Sequence, residues 1–209
     1  MKYKWLNKNN NDKLIIFFNG WGMDDYIVSH LDCEDYDVIV FYDYNDLKIN
    51  IDLSLYKEKH VVGWSMGVMI STLFDFGTIK TRTALCGTTY PINDNLGIPE
   101  RIYSLTIKNF SEKSVQKFMK RMFNTIPNKD IFTYRKLDSL KSELVKLLSY
   151  QPDEKVNFTK AIIPEDDLII PTKNQLNFWS DKNIIKVKIP TGHCPFDYYK
   201  NWSEILLDL

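Results

Sequence analysis

The stretch His60-Val-Val-Gly-Trp64-Ser65-Met66-Gly67-Val68-Met69-Ile70 sets one serine between two glycines, with an apolar run on each side. The first run has the length and β-branched content of a buried strand, and the second suits a buried helix. Gly63-Trp64-Ser65-Met66-Gly67 is therefore a G-x-S-x-G placed at a strand-to-helix turn, where a nucleophile elbow needs it. Side chains at the two glycine positions would collide with the neighbouring strand and helix. The strained turn lifts the serine hydroxyl above the sheet edge and leaves a helix N-terminus beneath the reacting carbonyl. Without that context the five-residue pattern is weak, and a glycine-rich turn with an incidental serine is the bland alternative.

Outward from this stretch the chain alternates. Residues 14–18, 38–42, 60–64, 83–86, 160–163 and 184–189 read as strands, and 3–6 as a leading edge strand. Most are continuous apolar runs, which suits a sheet covered on both faces and therefore parallel. Helical stretches fall at 24–31, 66–76, 172–179 and 198–207. Strand–helix alternation predicts an open α/β sheet with right-handed crossovers. Residues 91–155 are too long for a simple crossover. Val115, Phe118, Met119, Met122 and Phe123 share one helical face, with Ser111 as N-cap, and Leu137, Leu140, Leu144, Leu147 and Leu148 make a second. The expectation is one domain over 1–209, mostly parallel sheet with helices on both faces, carrying a short helical cap insertion at about 91–155.

Composition narrows the function. The 209 residues carry 27 Lys+Arg and 27 Asp+Glu, so the formal charge is zero. A general nucleic-acid coat or a polybasic membrane binder is excluded by that balance. Cys33, Cys86 and Cys194 are odd in number and show no CxxC spacing, which fits a reducing compartment and excludes a zinc ribbon. Met1-Lys2-Tyr3-Lys4-Trp5 lacks a signal-peptide core, and no apolar run approaches the roughly 20 residues of a membrane span. A cytoplasmic globular enzyme, without metal or other cofactor, is expected.

A serine nucleophile needs donors for the developing oxyanion, a base and an orienting acid, in the chain order Ser…Asp/Glu…His. One donor is the amide after the nucleophile, Met66. The other is assigned to Trp21, in Phe18-Asn19-Gly20-Trp21-Gly22 after the first long strand. Of the three histidines, His30 and His60 precede Ser65. His193 follows the last strand, where the base must sit. The acid should follow the preceding strand, where Glu165, Asp166 and Asp167 stand together. Asp167, four residues before Pro171, is preferred, and Asp166 is next. Cys194 reads as packing because adjacent residues rarely face each other for attack, and Asp24 and Asp25 read as residues favouring a helix N-terminus.

Charge is uneven although it sums to zero. Residues 21–60 hold ten acids and three bases, whereas residues 108–146 hold ten bases and four acids. Lys113, Lys117 and Lys120 recur along one helical face beside Arg121. Such a face is either simply solvated or a docking surface for an acidic partner.

The segments Phe17-Phe-Asn-Gly-Trp-Gly-Met23, Gly63-Trp-Ser-Met-Gly67 and Gly192-His-Cys-Pro-Phe196 together resemble the BioG-type pimeloyl-[acyl-carrier-protein] methyl ester esterases, small α/β-hydrolases of biotin synthesis. The resemblance covers essentially the whole chain. It implies an α/β-hydrolase fold, a Ser65–Asp167–His193 triad, an oxyanion hole from Trp21 and Met66, and hydrolysis of the methyl ester on pimeloyl-acyl carrier protein. It also implies that Lys113, Lys117, Lys120 and Arg121 dock that acidic carrier. Pro164 stands where many relatives have Gly in a G-x-x-D frame, which bears on the choice between Asp166 and Asp167. The chain is expected to act as a monomer, with no nucleic-acid or membrane partner. Alternatives are a thioesterase or unspecific carboxylesterase using the same residues, and a hydrolase-fold protein that binds an acyl carrier without turnover.

Overall fold

The computed structural model describes residues 1–123 and 135–207. Its frame is a seven-stranded sheet built from β1 (Lys2–Asn7), β2 (Lys13–Phe18), β3 (Tyr36–Tyr42), β4 (Glu58–Trp64), β5 (Thr81–Leu85), β6 (Lys160–Pro164) and β7 (Ile185–Ile189). The strand order is β1-β3-β2-β4-β5-β6-β7, with β1 antiparallel to β3 and every other pair parallel. The apolar runs are the central strands. Leu14, Ile15, Ile16, Phe17 and Phe18 have no exposed surface, nor have Val38, Ile39, Val40 and Phe41. All seven expected strands are present, to within a few residues at their ends.

The order explains where a site can form. From β2 the chain steps to β3 on one side, then crosses back to β4 on the other. The loops leaving β2 and β4 therefore diverge at the same place, the topological switch point at which open α/β sheets bind ligands. Phe18 pairs with Gly63, so the two strands end level with each other.

The helices differ more from expectation. The segment 66–76 is not one helix. It is α1 (Met66–Ile70), then a 3₁₀ turn (Ser71–Leu73), then extended chain from Phe74. Ser71 Oγ donates to the Val68 carbonyl at 2.8 Å and Thr72 Oγ1 to that of Met69 at 2.7 Å, so two hydroxyls compete with the helical ladder. Beyond them Phe74 stacks on Phe18, and Phe76 on Phe41, which draws the chain off the helix axis. The expected helix at 24–31 is a 3₁₀ turn, Asp25–Val28, capped by the Asp24 side chain. The expected helix at 198–207 divides into a 3₁₀ turn (Phe196–Tyr198) and a later helix (Trp202–Leu207), because Asn201 Oδ1 accepts from the Glu204 N–H and starts the second one.

Between β5 and β6 lie α2 (Glu100–Lys108), α3 (Glu112–Met122) and α4 (Leu137–Leu147). The last two match the expected amphipathic stretches. Ser111 caps α3 through reciprocal bonds with Ser114. Leu140, Leu144 and Leu147 are buried, but Leu137 and Leu148 are exposed. The sequence reading missed α2, whose Ile102 and Leu105 are exposed and leave Tyr103 as its one buried residue. Val115, Met119, Leu140 and Leu144 join the same apolar cluster as the central strands. After β6, α5 (Thr172–Trp179) leads to β7, and Trp202–Leu207 is α6.

Candidate active site

Ser65 sits between β4 and α1 at φ 56° and ψ −121°, a backbone region that costs an L-residue strain. Local sterics hold it there. A Cβ on Gly67 would lie 2.1 Å from the Phe18 carbonyl oxygen, and one on Gly63 would lie 2.7 Å from Val68 Cα. Only glycine lets β4, α1 and β2 approach this closely. The Ser65 N–H donates to the Leu85 carbonyl at 3.0 Å, which ties the turn to β5.

His193 lies in the loop after β7 and Asp167 in the loop after β6. Ser65 Oγ is 2.8 Å from His193 Nε2, and His193 Nδ1 is 2.7 Å from Asp167 Oδ2. A carboxylate only accepts, so Nδ1–H donates to Asp167 and the Nε2 lone pair accepts from the serine hydroxyl. All three side chains are buried. Asp167 Oδ1 also accepts from the N–H groups of Ile169 and Ile170, at 2.8 and 2.9 Å. Asp166, the other candidate, is exposed.

Two residues that frame this series were missed by sequence reading. Gln175, from α5, donates through Nε2 to Asp167 Oδ2 and to the Ile170 carbonyl, each at 2.8 Å. Trp64 Nε1 donates to the His193 carbonyl at 2.8 Å. A tryptophan before the serine carried a hint, since a buried indole N–H needs an acceptor. Gln175 carried none beyond its place in a helix beside Asp167.

The remaining polar candidates fall elsewhere. His60 lies near the start of β4, at the other end of the strand from Ser65, between Thr81 Oγ1 and Glu58, and burial lowers its affinity for a proton. His30 contacts the Phe196 carbonyl. Burial pushes the Cys194 thiol well above its ordinary range, so it stays protonated. Among the described residues no cluster of His, Cys, Asp or Glu has the makings of a metal site.

A pocket opens over Ser65. Trp21, Met66, Ile98, Tyr103, Phe118 and Leu144 give it apolar walls, and the exposed residues Ile102, Arg121 and Leu168 also line it. The inserted segment thus supplies much of the lining. Neither the Trp21 N–H nor the Met66 N–H has a protein acceptor among the described residues. Lys113, Lys117, Lys120 and Arg121 are all exposed on α3, and Arg121 is the one that reaches the pocket. Lys129, part of the same basic excess, lies outside the described residues.

Comparison with known proteins places the chain in a family and a fold. Residues 1–205 match the family model described as pimeloyl-ACP methyl esterase BioG. The crystal structure of BioG from Haemophilus influenzae superposes with a TM-score of 0.89 at 29% identity, covering 98% of this chain and 99% of that one. A lipase-esterase related protein from Clostridium acetobutylicum shares the fold, with a TM-score of 0.68 at 16% identity over 93% of this chain and 92% of its own. A Bacteroides fragilis protein named malonyl-[acyl-carrier protein] O-methyltransferase is 38% identical over 79% of this chain, which spans 36% of that longer protein.

Proposed function

Because the chain belongs to the BioG family of α/β-hydrolases, whose model it matches over 1–205, we propose that it hydrolyses the methyl ester of pimeloyl-acyl carrier protein by serine catalysis. The observation that carries this reading is the unbroken series Ser65–His193–Asp167, opening on an apolar pocket. In this reading Ser65 Oγ attacks the ester carbonyl while His193 Nε2 takes its proton. Asp167 fixes the imidazole tautomer and stabilises the imidazolium. The Trp21 and Met66 amides donate to the oxyanion. The tetrahedral intermediate collapses, and His193 returns the proton to the departing methanol. Water activated by His193 then attacks the acyl-enzyme and releases the free carboxylate.

The apolar walls suit the methylene chain, which gains about 0.8 kcal/mol per buried CH₂. The exposed bases of α3, with Arg121 at the pocket, suit an acidic carrier delivering that chain. The relative named for methylating a carrier-bound malonyl group supports the same substrate class, since its chemistry installs the kind of ester this site would remove. Three unpaired cysteines suit a reducing cytoplasm.

The test compares purified protein on pimeloyl-carrier methyl ester, free dimethyl pimelate and a pimeloyl thioester lacking the methyl group. Methanol release fastest from the carrier-bound ester is the expected result. Release of free carrier thiol at a comparable rate would make the protein a thioesterase instead.

A further inference from the structure

α4 grips the loop that follows β2 at two consecutive residues. Trp21 Nε1 donates to the Leu140 carbonyl at 3.0 Å, and the Gly22 N–H donates to Glu143 Oε2 at 3.4 Å. The other oxygen of Glu143, Oε1, accepts from the Tyr44 N–H in the loop after β3, at 2.7 Å. Arg135 neutralises the assembly, with Nη1 2.7 Å from Glu143 Oε2 and Nη2 2.7 Å from Asp43 Oδ1. Glu143 is completely buried.

A buried carboxylate is costly, and a well-packed apolar residue often stabilises a helix interface as well or better. Its use here is therefore better sought in geometry than in stability. The three N–H groups around Trp21 show one. Gly20 N–H donates to the Asn19 side chain at 2.9 Å and Gly22 N–H to Glu143, while the Trp21 N–H between them has no protein acceptor among the described residues. Gly22 sits at φ +77°, a conformation a glycine-flanked loop leaves readily unless tied. An oxyanion donor contributes fully only if it is aimed before the charge appears.

We propose that Glu143 is a positioning residue for catalysis: from the inserted helix it fixes the peptide after Trp21, and so aims the Trp21 N–H at the oxyanion. The proposal rests on the reading of Trp21 and Met66 as the oxyanion donors. It makes the insertion part of the catalytic apparatus as well as a wall of the pocket. Both Glu143 oxygens accept from N–H groups, so a glutamine there turns its NH₂ toward one of those donors.

The test uses p-nitrophenyl butyrate as substrate and butylboronic acid as inhibitor, since the boronate forms a tetrahedral anion on the serine and reports oxyanion stabilisation apart from substrate binding. For Glu143→Gln we expect kcat to fall and the boronate inhibition constant to rise by the same factor, about tenfold or more, with KM changed by less than about twofold. Asp43→Asn loosens Arg135 without touching the loop after β2, and should lower the melting temperature while leaving boronate affinity near wild type. A folded Glu143→Gln protein with wild-type kcat and boronate affinity overturns the proposal. So does an equal loss of boronate affinity in Asp43→Asn, which would make the network merely structural. If Glu143→Gln does not fold, Glu143→Asp keeps the charge beside Arg135 but draws the carboxylate back by one methylene from the Gly22 N–H, and unchanged boronate affinity there overturns it. A wild-type protein that neither turns over the ester nor binds the boronate removes the esterase reading and this inference with it. An active, inhibited wild type with an indifferent Glu143→Gln removes the inference alone.

Discussion

The indole of Trp64 donates to the main-chain carbonyl of His193 at 2.8 Å, so the residue before the serine holds the loop that brings the imidazole to it. The two are 129 positions apart, and the indole is also packed edge-on against Phe196 with ring centroids 4.8 Å apart. Trp64→Phe keeps the ring contact but strips the buried carbonyl of its donor. That should cost about 1–3 kcal/mol of stability. At roughly 2–4 °C per kcal/mol for a chain of this size, the drop is visible in a thermal melt. A misplaced imidazole should also lower kcat roughly tenfold with less effect on KM. A variant that melts early but retains full kcat would show that the bond serves stability only.

Ser65→Ala and His193→Ala should each lower kcat by a factor on the order of 10³ or more, and the double variant little further, because the two act as a unit. Circular dichroism should show both singles folded. Near-wild-type turnover by folded Ser65→Ala would remove the serine mechanism.

Asp167 and Asp166 are adjacent, yet the first is buried against His193 and the second faces solvent. Asp167→Asn should cost roughly four orders of magnitude in kcat through the wrong imidazole tautomer, whereas Asp166→Asn should cost little. The measurement is kcat on a small ester for the two variants side by side. The reverse ranking would transfer the role to Asp166.

The basic face of α3 should respond to salt if it docks an acidic carrier. Screening shortens the electrostatic range from about 10 Å at 0.1 M to about 3 Å at 1 M. Turnover of a carrier-bound ester should therefore fall with salt, and that of a p-nitrophenyl ester should barely change. Replacing Lys113, Lys117 and Lys120 together by Glu should raise KM for the carrier substrate and spare the small one, since none of the three lines the pocket. Equal salt slopes for both substrates would leave the face as simply solvated.

What the sequence determined was set by local rules. Continuous apolar runs such as 14–18 and 38–42 can be satisfied only inside a covered sheet, and they became its central strands. The serine turn was legible because its glycines answer to backbone contacts within a few residues and with the adjoining strand. Ser111 was legible as a cap because capping is a matter of three residues. The shortening of the helix after Ser65, by contrast, depended on Phe74 and Phe76 finding Phe18 and Phe41 in other strands. Which of two neighbouring aspartates meets His193 depended on how the loops after β6 and β7 pack. Glu143 looked like one acid in a basic stretch, although it falls on the apolar stripe, three residues after Leu140 and four before Leu147. Its burial against Gly22, Tyr44 and Arg135 was decided by tertiary structure alone. A charge can leave water only where folding brings its donors together, and two of those donors lie about a hundred residues away in sequence.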